Sequence, residues 1–154
     1  MCVIVDNDVR DEVFGGTSSE AGKYLFDWLT DGRGKLAIGG KLRRELSGSS
    51  SFIRWMKVAQ LVGRVISVED RDVDEESNRI LEEGRRESND PHVLALARVS
   101  RSRLLFTNDQ QLQRDFGNPQ IIRRPRGVVY TTRVDKRLTD VHVELLSRDN
   151  LCRG

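Results

Sequence analysis

The sequence predicts an α/β domain in which a central parallel β-sheet is flanked by α-helices. Short apolar runs alternate along the chain with longer segments whose apolar residues recur at helical spacing. This alternation is typical of parallel sheets, because each strand is followed by a helix that crosses back over the sheet in the right-handed sense. The length of 154 residues suits one domain with one hydrophobic core.

Four short apolar runs are predicted to be strands, and the first of them is expected to be buried on both faces because it is continuously apolar. The first run is stopped by Asp6, and the second follows a glycine-rich turn. These strands are expected at 2–5, 36–38, 65–68 and 104–107, with further candidates at 121–122 and 128–131.

Helices are predicted where apolar residues recur every three or four positions. Ser18 or Ser19 is placed to cap the first helix, and Gly32 is placed to terminate it. Asp90 and Pro91 open a later helix, since proline is favoured at the first helical position and aspartate is a good cap. The expected helices cover 19–30, 41–47, 52–61, 73–87, 90–100 and 140–146.

The composition argues against several classes of protein. Apolar residues make up 37% of the chain and charged residues 32%, and no run approaches the roughly 18 apolar residues that a membrane helix needs. The apolar start is too short for a signal peptide, so we expect a cytoplasmic protein with no membrane association. Two cysteines at opposite ends of the chain and two histidines argue against a zinc site.

Four acidic residues are candidates for a functional site. Asp6 and Asp109 each lie just past the carboxyl end of a predicted strand, where open α/β sheets bind their ligands. Asp90 begins the helix before the fourth strand, and Glu45 lies on the short helix at 41–47. Carboxylates about 4 Å apart repel each other by roughly 4 kcal/mol at an effective dielectric constant near 20. A cluster of them is therefore expected to hold a hard cation, Mg²⁺ or Mn²⁺.

Each of these acids also has a purely structural interpretation. Asp90 before a proline is a good N-cap, and Asp109 lies in a T-x-x-Q capping-box pattern that begins at Thr107. Glu45 follows two arginines and could be an ordinary solvated charge. Asp6 is different, because a carboxylate at the end of a buried strand is costly to remove from water without a partner. The functional interpretation therefore depends on the set of four rather than on any one member.

Three segments resemble the PIN-domain family of metal-dependent nucleases. They are VIVDNDV at 3–9, NDPHVLALA at 89–97 and LLFTNDQQL at 104–112, in the family's order of strand-end aspartate, D-x-x-x-x-A-x-A helix and strand-T-x-D-helix element. The resemblance spans about residues 2–131. It implies a PIN-like nuclease domain at 1–132, and the remaining 133–154 are expected to form a tail with a short helix, either part of that domain or appended to it.

The resemblance also implies a metal site and an activity. Asp6, Asp90, Asp109 and Glu45 match the family's metal-site acids, which would bind Mg²⁺ or Mn²⁺ and hydrolyse RNA phosphodiesters with a metal-activated water. Supporting contacts would come from the neighbouring polar residues Asn7, Asp8, Thr107 and Asn108. Asp8 departs from the family pattern, which usually has Asn, Ser or Thr there, and we expect it to face solvent or to support the site rather than to bind the metal.

Basic residues are expected to hold the RNA backbone through sequence-independent contacts. Residues 120–154 carry 8 basic and 4 acidic side chains, which favours contact with a polyanion. The candidates are Arg43, Arg44, Arg123, Arg124 and Arg126, and the tail adds Arg133, Lys136 and Arg137. Small PIN proteins of this size often resemble ribonuclease toxins, so the resemblance further implies an antitoxin partner and a possible homodimer.

Two other interpretations stay open. The D-x-D-x-V start at Asp6 and Asp8 also fits haloacid-dehalogenase-like phosphatases, in which the first aspartate is a nucleophile, although no later strand supplies their second acidic pair. A non-catalytic PIN-like module that binds RNA or a protein is the other alternative. A response-regulator receiver domain is disfavoured, because Asp70 lies in an unsuitable context for the phosphate acceptor and no lysine follows the fourth or fifth strand.

Overall fold

The computed structural model of the protein describes residues 2–16, 19–133 and 136–148. These residues form one five-stranded sheet with the strand order β3-β2-β1-β4-β5, and every neighbouring pair is parallel. The strands are β1 Cys2–Val5, β2 Lys35–Ile38, β3 Val65–Ser67, β4 Leu104–Phe106 and β5 Val128–Tyr130.

Helices connect the strands and flank the sheet. A 3-10 helix at Asn7–Val9 leads directly into the first α-helix, and neither was predicted because both fall within a polar stretch. The α-helices are α1 Arg10–Val13, α2 Glu20–Thr30, α3 Gly40–Leu46, α4 Ser50–Leu61, α5 Asp70–Glu83, α6 Pro91–Ser100, α7 Gln110–Gly117 and α8 Asp140–Ser147.

The central position of β1 explains its continuous apolar sequence. It pairs with β2 on one side and with β4 on the other, so that Val3 lies opposite both Leu36 and Leu104. All four residues of β1 are fully buried, because helices cover both faces of the strand. The predicted α/β class with a helix-flanked parallel sheet is confirmed.

One predicted strand is wrong. Ile121 and Ile122 are buried, but they lie in a turn in which both of their backbone N–H groups donate to the carbonyl oxygen of Asn118, at 3.0 and 2.9 Å. A pair of buried apolar residues is a signal of core packing and not of strand geometry. The single strand in this region is β5, which ends at Tyr130.

A second difference concerns the end of α5. The periodicity predicted a helix to residue 87, whereas α5 ends at Glu83 and Gly84 adopts a left-handed conformation with a φ of 65°. Glycine takes this conformation without the steric cost of a Cβ, so it terminates the helix. The residues that follow are therefore free to form the loop that leads to Asp90.

The described part of the predicted tail contacts the main body of the fold. The indole N–H of Trp28 on α2 donates to the carbonyl oxygen of Leu146 at 3.0 Å, and Nε2 of His142 lies 2.7 Å from the carbonyl oxygen of Thr131. Residues 134, 135 and 149–154 of that tail lie outside the described residues. Within the described ranges, no helix is long and apolar enough to cross a membrane.

Candidate active site

The ends of β1 and β4 bring the first two functional side chains together. Val5 pairs with Phe106, so the next residues, Asp6 and Thr107, leave the sheet side by side. The backbone N–H of Asp6 donates to the carbonyl oxygen of Phe106 at 2.9 Å, which continues the ladder by one residue. The hydroxyl of Thr107 then donates to Oδ2 of Asp6 at 2.8 Å.

Asp6 is a buried carboxyl group without a cationic partner among its described contacts. Only 6% of the residue is exposed, and its Oδ1 accepts the backbone N–H of Asn7 at 2.7 Å at the start of the 3-10 helix. Burial and the charge of Asp8 raise the pKa of Asp6 to about 7, although the hydrogen bond from Thr107 opposes the shift. Asp6 is thus held where its ionised form is unfavourable.

Asp8 lies close to Asp6, on the 3-10 helix. It is exposed, and its Oδ2 accepts the backbone N–H of Asn108 at 3.1 Å. Loss of solvent around its carboxyl group raises the pKa of Asp8, while the hydrogen bonds from Asn108 and Thr107 lower it. Asp8 therefore belongs to the acidic cluster, and it is bonded to the segment that follows β4.

Asp90 occupies the N-cap position of α6 without capping it. Its side chain accepts no hydrogen bond from the first turn of the helix. Burial raises the pKa of Asp90, as do the charges of Asp109 and Glu45, against the opposing effects of His92 and Lys41. The capping interpretation does not account for this carboxylate, which remains available to a ligand.

Asp109 has a structural role in addition to its place in the cluster. It is the N-cap of α7, and its Oδ1 accepts the backbone N–H groups of Gln111 and Leu112 at 2.9 and 3.3 Å. The capping box predicted to begin at Thr107 is not formed, since the helix starts at Gln110 and the hydroxyl of Thr107 instead accepts the N–H of Asp109. Oδ2 of Asp109 takes no part in this cap.

Glu45 is held in the pocket by a residue that the sequence did not single out. Oε1 of Glu45 lies 2.6 Å from Nε2 of His92, on the first turn of α6. Burial lowers the pKa of His92, whereas the neighbouring carboxylates raise it. The position of His92 two residues after Asp90 was the available signal, and it was missed because nothing in the sequence placed α3 against α6.

These five carboxylates form one electrostatic cluster. Asp8 and Asp90 raise the pKa of Asp6, Asp109 raises the pKa of both Asp8 and Asp90, and Glu45 raises the pKa of Asp90. As placed in the described part of the chain, no three histidine, cysteine, aspartate or glutamate side chains are arranged to ligate one ion. The chemistry of the cluster nonetheless fits a hard divalent cation, because its members offer carboxylate oxygens.

A second polar layer supports the cluster and was not predicted in full. The side-chain amide of Asn108 donates to the hydroxyl of Thr132 at 3.1 Å, and its carbonyl oxygen accepts the hydroxyl of Thr131 at 2.9 Å. Thr132 in turn donates to Glu12 at 3.0 Å. These contacts connect α1 to the segments that follow β4 and β5, so they fix the backbone around Asp8.

The loop before Asp90 has its own anchor. Asp115 on α7 is 2% exposed, and its two carboxylate oxygens accept the backbone N–H groups of Glu87 and Ser88, each at 2.8 Å. The sequence showed Asp115 only as one more acid on a charged helix. Its carboxylate satisfies buried backbone donors two and three residues before Asp90, so it positions that part of the site.

The arginines predicted to bind RNA fall into two groups. Arg44 is exposed near the cluster with a long 3.8 Å ion pair to Asp70, whereas Arg43 donates to Asp70, Ser67 and the carbonyl oxygen of Val68. The others precede β5, at the amino ends of the strands and therefore at the opposite edge of the sheet from the carboxylates. They are Arg123, Arg124 and Arg126.

Comparison with known proteins gives a structural likeness at low sequence identity. No family model matches the chain, and no curated protein matches it. The chain is similar to one in the crystal structure of VapBC2 from Rickettsia felis bound to a DNA fragment from their promoter. The sequence identity is 14%, the TM-score is 0.44, and the match covers 85% of this chain and 98% of that one.

The class of the domain follows from the architecture described above. The five parallel strands in the order 3-2-1-4-5, flanked by helices, define an open α/β fold. The acidic cluster lies at the carboxyl-end edge of this sheet, beside its central strand. This is the edge at which open α/β sheets bind their ligands.

Proposed function

We propose that the protein is a metal-dependent ribonuclease of the PIN type. The observation that carries the proposal is the placement of Asp6, which is buried, lies close enough to Asp8 and Asp90 for their charges to raise its pKa, and has no cationic partner among the described residues. Such an arrangement is unfavourable for the folded chain on its own, because each ionised group raises the cost of ionising the next. A bound divalent cation removes that cost.

Asp6, Asp90, Asp109 and Glu45 would hold Mg²⁺ or Mn²⁺, with Asp8 at the margin of the pocket. When bound, the cation supplies Lewis-acid activation and neutralises charge on a phosphate. The side chains of this protein then have separate tasks. Thr107 keeps Oδ2 of Asp6 pointing into the pocket, and His92 keeps Glu45 against the cluster.

Catalysis would depend on position and charge rather than on a covalent intermediate. Oδ1 of Asp109 caps α7, and these hydrogen bonds restrict the side chain. The position of its other carboxylate oxygen, Oδ2, is therefore restricted as well. The supporting layer of Asn108 and Thr132 restricts the backbone that carries Asp8. These contacts pre-organise the oxygens for the reaction.

A cleavage assay on single-stranded RNA tests this function. We expect Mg²⁺- or Mn²⁺-dependent cleavage that EDTA abolishes and that falls at least about a hundredfold in Asp6→Asn and Asp109→Asn. Asp27→Asn, an exposed acid on α2, is the matched control and should cut like the parent. Equal cleavage by all variants, or activity in EDTA, would rule the mechanism out. Metal-dependent turnover of p-nitrophenyl phosphate without RNA cleavage would support the phosphatase interpretation.

The resemblance to PIN toxins also suggests a biological role for the proposed ribonuclease. We infer that the ribonuclease is the toxin of a toxin–antitoxin pair, held inactive by a protein partner. Expression of the parent chain is expected to arrest growth, while Asp6→Asn expressed to the same level does not. Light scattering of the purified chain measures whether it forms a homodimer, which the resemblance also implies.

A further inference from the structure

A polar cleft opens beside the acidic cluster, and most of its lining residues take no part in the contacts described so far. One wall is the outer face of α3, and the other is formed by α5 and the start of α6. Its volume is about 350 Å³, and its polar lining includes Lys41, Arg44, Ser77, Asn78, Asn89 and His92. Because Asn89 and Pro91 flank Asp90 in the chain, this end of the cleft lies next to one member of the acidic cluster.

Polar side chains in this cleft have unused hydrogen-bonding groups. Among the described residues, the side chains of Lys41, Ser77, Asn78 and Asn89 make no hydrogen bond and no ion pair. Lys41, Asn78 and Asn89 are exposed. An ammonium group next to two amides is a set of groups that fits a phosphate and the edge of a base or a ribose hydroxyl.

The charges explain why a substrate would need this cleft. A polyanion that approaches five carboxylates is repelled by them, so its affinity has to come from cations on the flank of the pocket. Lys41 lies close enough to Asp90 and His92 to lower the pKa of both groups. Arg44 stands three residues further along α3 with 61% of its side chain exposed. Asp74 is an acid on the opposite wall, formed by α5, and the two cations outnumber it.

We propose that this cleft binds the nucleotides next to the scissile phosphate of a single-stranded RNA, with Lys41 and Arg44 contacting the backbone phosphates. The inference rests on the proposed ribonuclease function, and it places the path of the RNA strand along the outer face of α3. A single strand fits better than a duplex, because unpaired nucleotides can be turned into a cleft whereas a paired helix presents only its outer surface. Arg43, whose donors are occupied by α5 and the end of β3, has no part in this path.

Fluorescence anisotropy with a labelled single-stranded RNA oligonucleotide tests the path without requiring catalysis. The measurement is made in EDTA on the full chain, comparing Lys41→Gln, Arg44→Gln and the double variant with Lys57→Gln. Lys57 is an exposed lysine on α4, outside the cleft, and serves as the matched control. Each cleft variant is expected to weaken binding by about three- to tenfold and to reduce the salt slope by about 0.7, the value for one lost phosphate contact on a single strand.

Three binding results would each overturn the inference. The first is an equal loss of affinity in Lys57→Gln, which would mean that only total charge matters. The second is unchanged binding in the cleft variants, and the third is binding of a duplex that is as tight as that of the single strand and as sensitive to the substitutions. If RNA binds through the cleft but is not cleaved with Mg²⁺ or Mn²⁺, only the ribonuclease function fails. If RNA is cleaved with an unchanged KM in Lys41→Gln, only the cleft assignment fails.

Discussion

The hydroxyl of Thr107 donates to Oδ2 of Asp6 across 2.8 Å, although the two residues are 101 positions apart in the sequence. Both follow the last residue of a strand, and the pairing of β1 with β4 fixes their separation. Removal of this hydroxyl should therefore affect the ionisation of Asp6 and the stability of the fold together.

Replacement of Thr107 by valine is expected to raise the pKa of Asp6 further and to destabilise the protein by about 1–2 kcal/mol, because a buried acceptor loses its donor. Thr107→Ser keeps the hydroxyl and should behave like the parent. Urea denaturation measures the stability, and the pH dependence of cleavage reports the ionisation. A valine variant with parental stability and pH profile would contradict the role of this bond.

The stability of the metal-free protein should fall as the pH rises. The pKa of Asp6 is raised from 3.8 to about 7 in the folded state, so between these values the folded chain binds more protons than the unfolded chain. The free energy of unfolding therefore declines through this range. As the pH rises from 5 to 8, the free energy of unfolding of Asp6→Asn is expected to increase by about 3 kcal/mol relative to that of the parent, since the pKa of Asp6 lies about two units above pH 5 and one unit corresponds to about 1.4 kcal/mol.

Urea titrations of parent and Asp6→Asn in EDTA at several pH values measure this gain. The difference between the two proteins isolates Asp6, because the other ionisable groups are shared. Asp27→Asn provides the control for the loss of a carboxylate elsewhere. A difference that is constant with pH would show that Asp6 ionises normally in the folded chain.

Divalent cations are expected to stabilise the protein through the acidic cluster. Saturation at 100 times the dissociation constant would contribute about 2.7 kcal/mol, which for a chain of this size raises the Tm by roughly 5–10 °C. The increase should be largely lost in Asp90→Asn, whose carboxylate is not used to cap α6, and retained in Asp27→Asn. Thermal unfolding with and without millimolar Mg²⁺ or Mn²⁺ measures it, and an equal response of all three proteins would place the cation elsewhere.

His92 is expected to act as a positioning residue for Glu45. Nε2 of His92 lies 2.6 Å from Oε1 of Glu45, so His92→Leu should release the carboxylate and lower cleavage about tenfold. His92→Gln can still donate a hydrogen bond and should restore part of the activity. Cleavage by the leucine variant at the parental rate would show that Glu45 needs no partner.

Asp115 is expected to contribute more to stability than its exposed neighbour. Its buried carboxylate accepts two backbone N–H groups, that of Ser88 being buried, so Asp115→Ala should destabilise the fold by about 2–4 kcal/mol. Arg114 forms an exposed ion pair with Glu87, and Arg114→Ala should cost at most about 1 kcal/mol. Chemical denaturation compares the two, and similar losses would mean that the loop before Asp90 is held by other contacts.

The sequence by itself determined the five strands of the sheet and the helices that follow most of them, although it also suggested a strand at 121–122 that does not form. The apolar runs of β1 and β4 are continuous because those strands are buried on both faces. This pattern can be recognised in a short segment, since β1 has four residues and β4 has three. Gly84 shows the limit of such patterns, since its helical spacing with Ile80 predicted a longer helix than its left-handed conformation permits. The order of the acids along the chain was also sufficient to propose which edge of the sheet carries them.

Only the tertiary structure decided how those acids are used. Whether Asp90 caps α6 or remains free, and whether Glu45 is solvated or bonded to His92, depends on contacts between elements that are distant in sequence. Helical and strand periodicity describe which face of an element is buried, but they contain no information about which neighbour covers it. The pKa of Asp6 arises from that neighbourhood, because burial and nearby charge act through space and not along the chain.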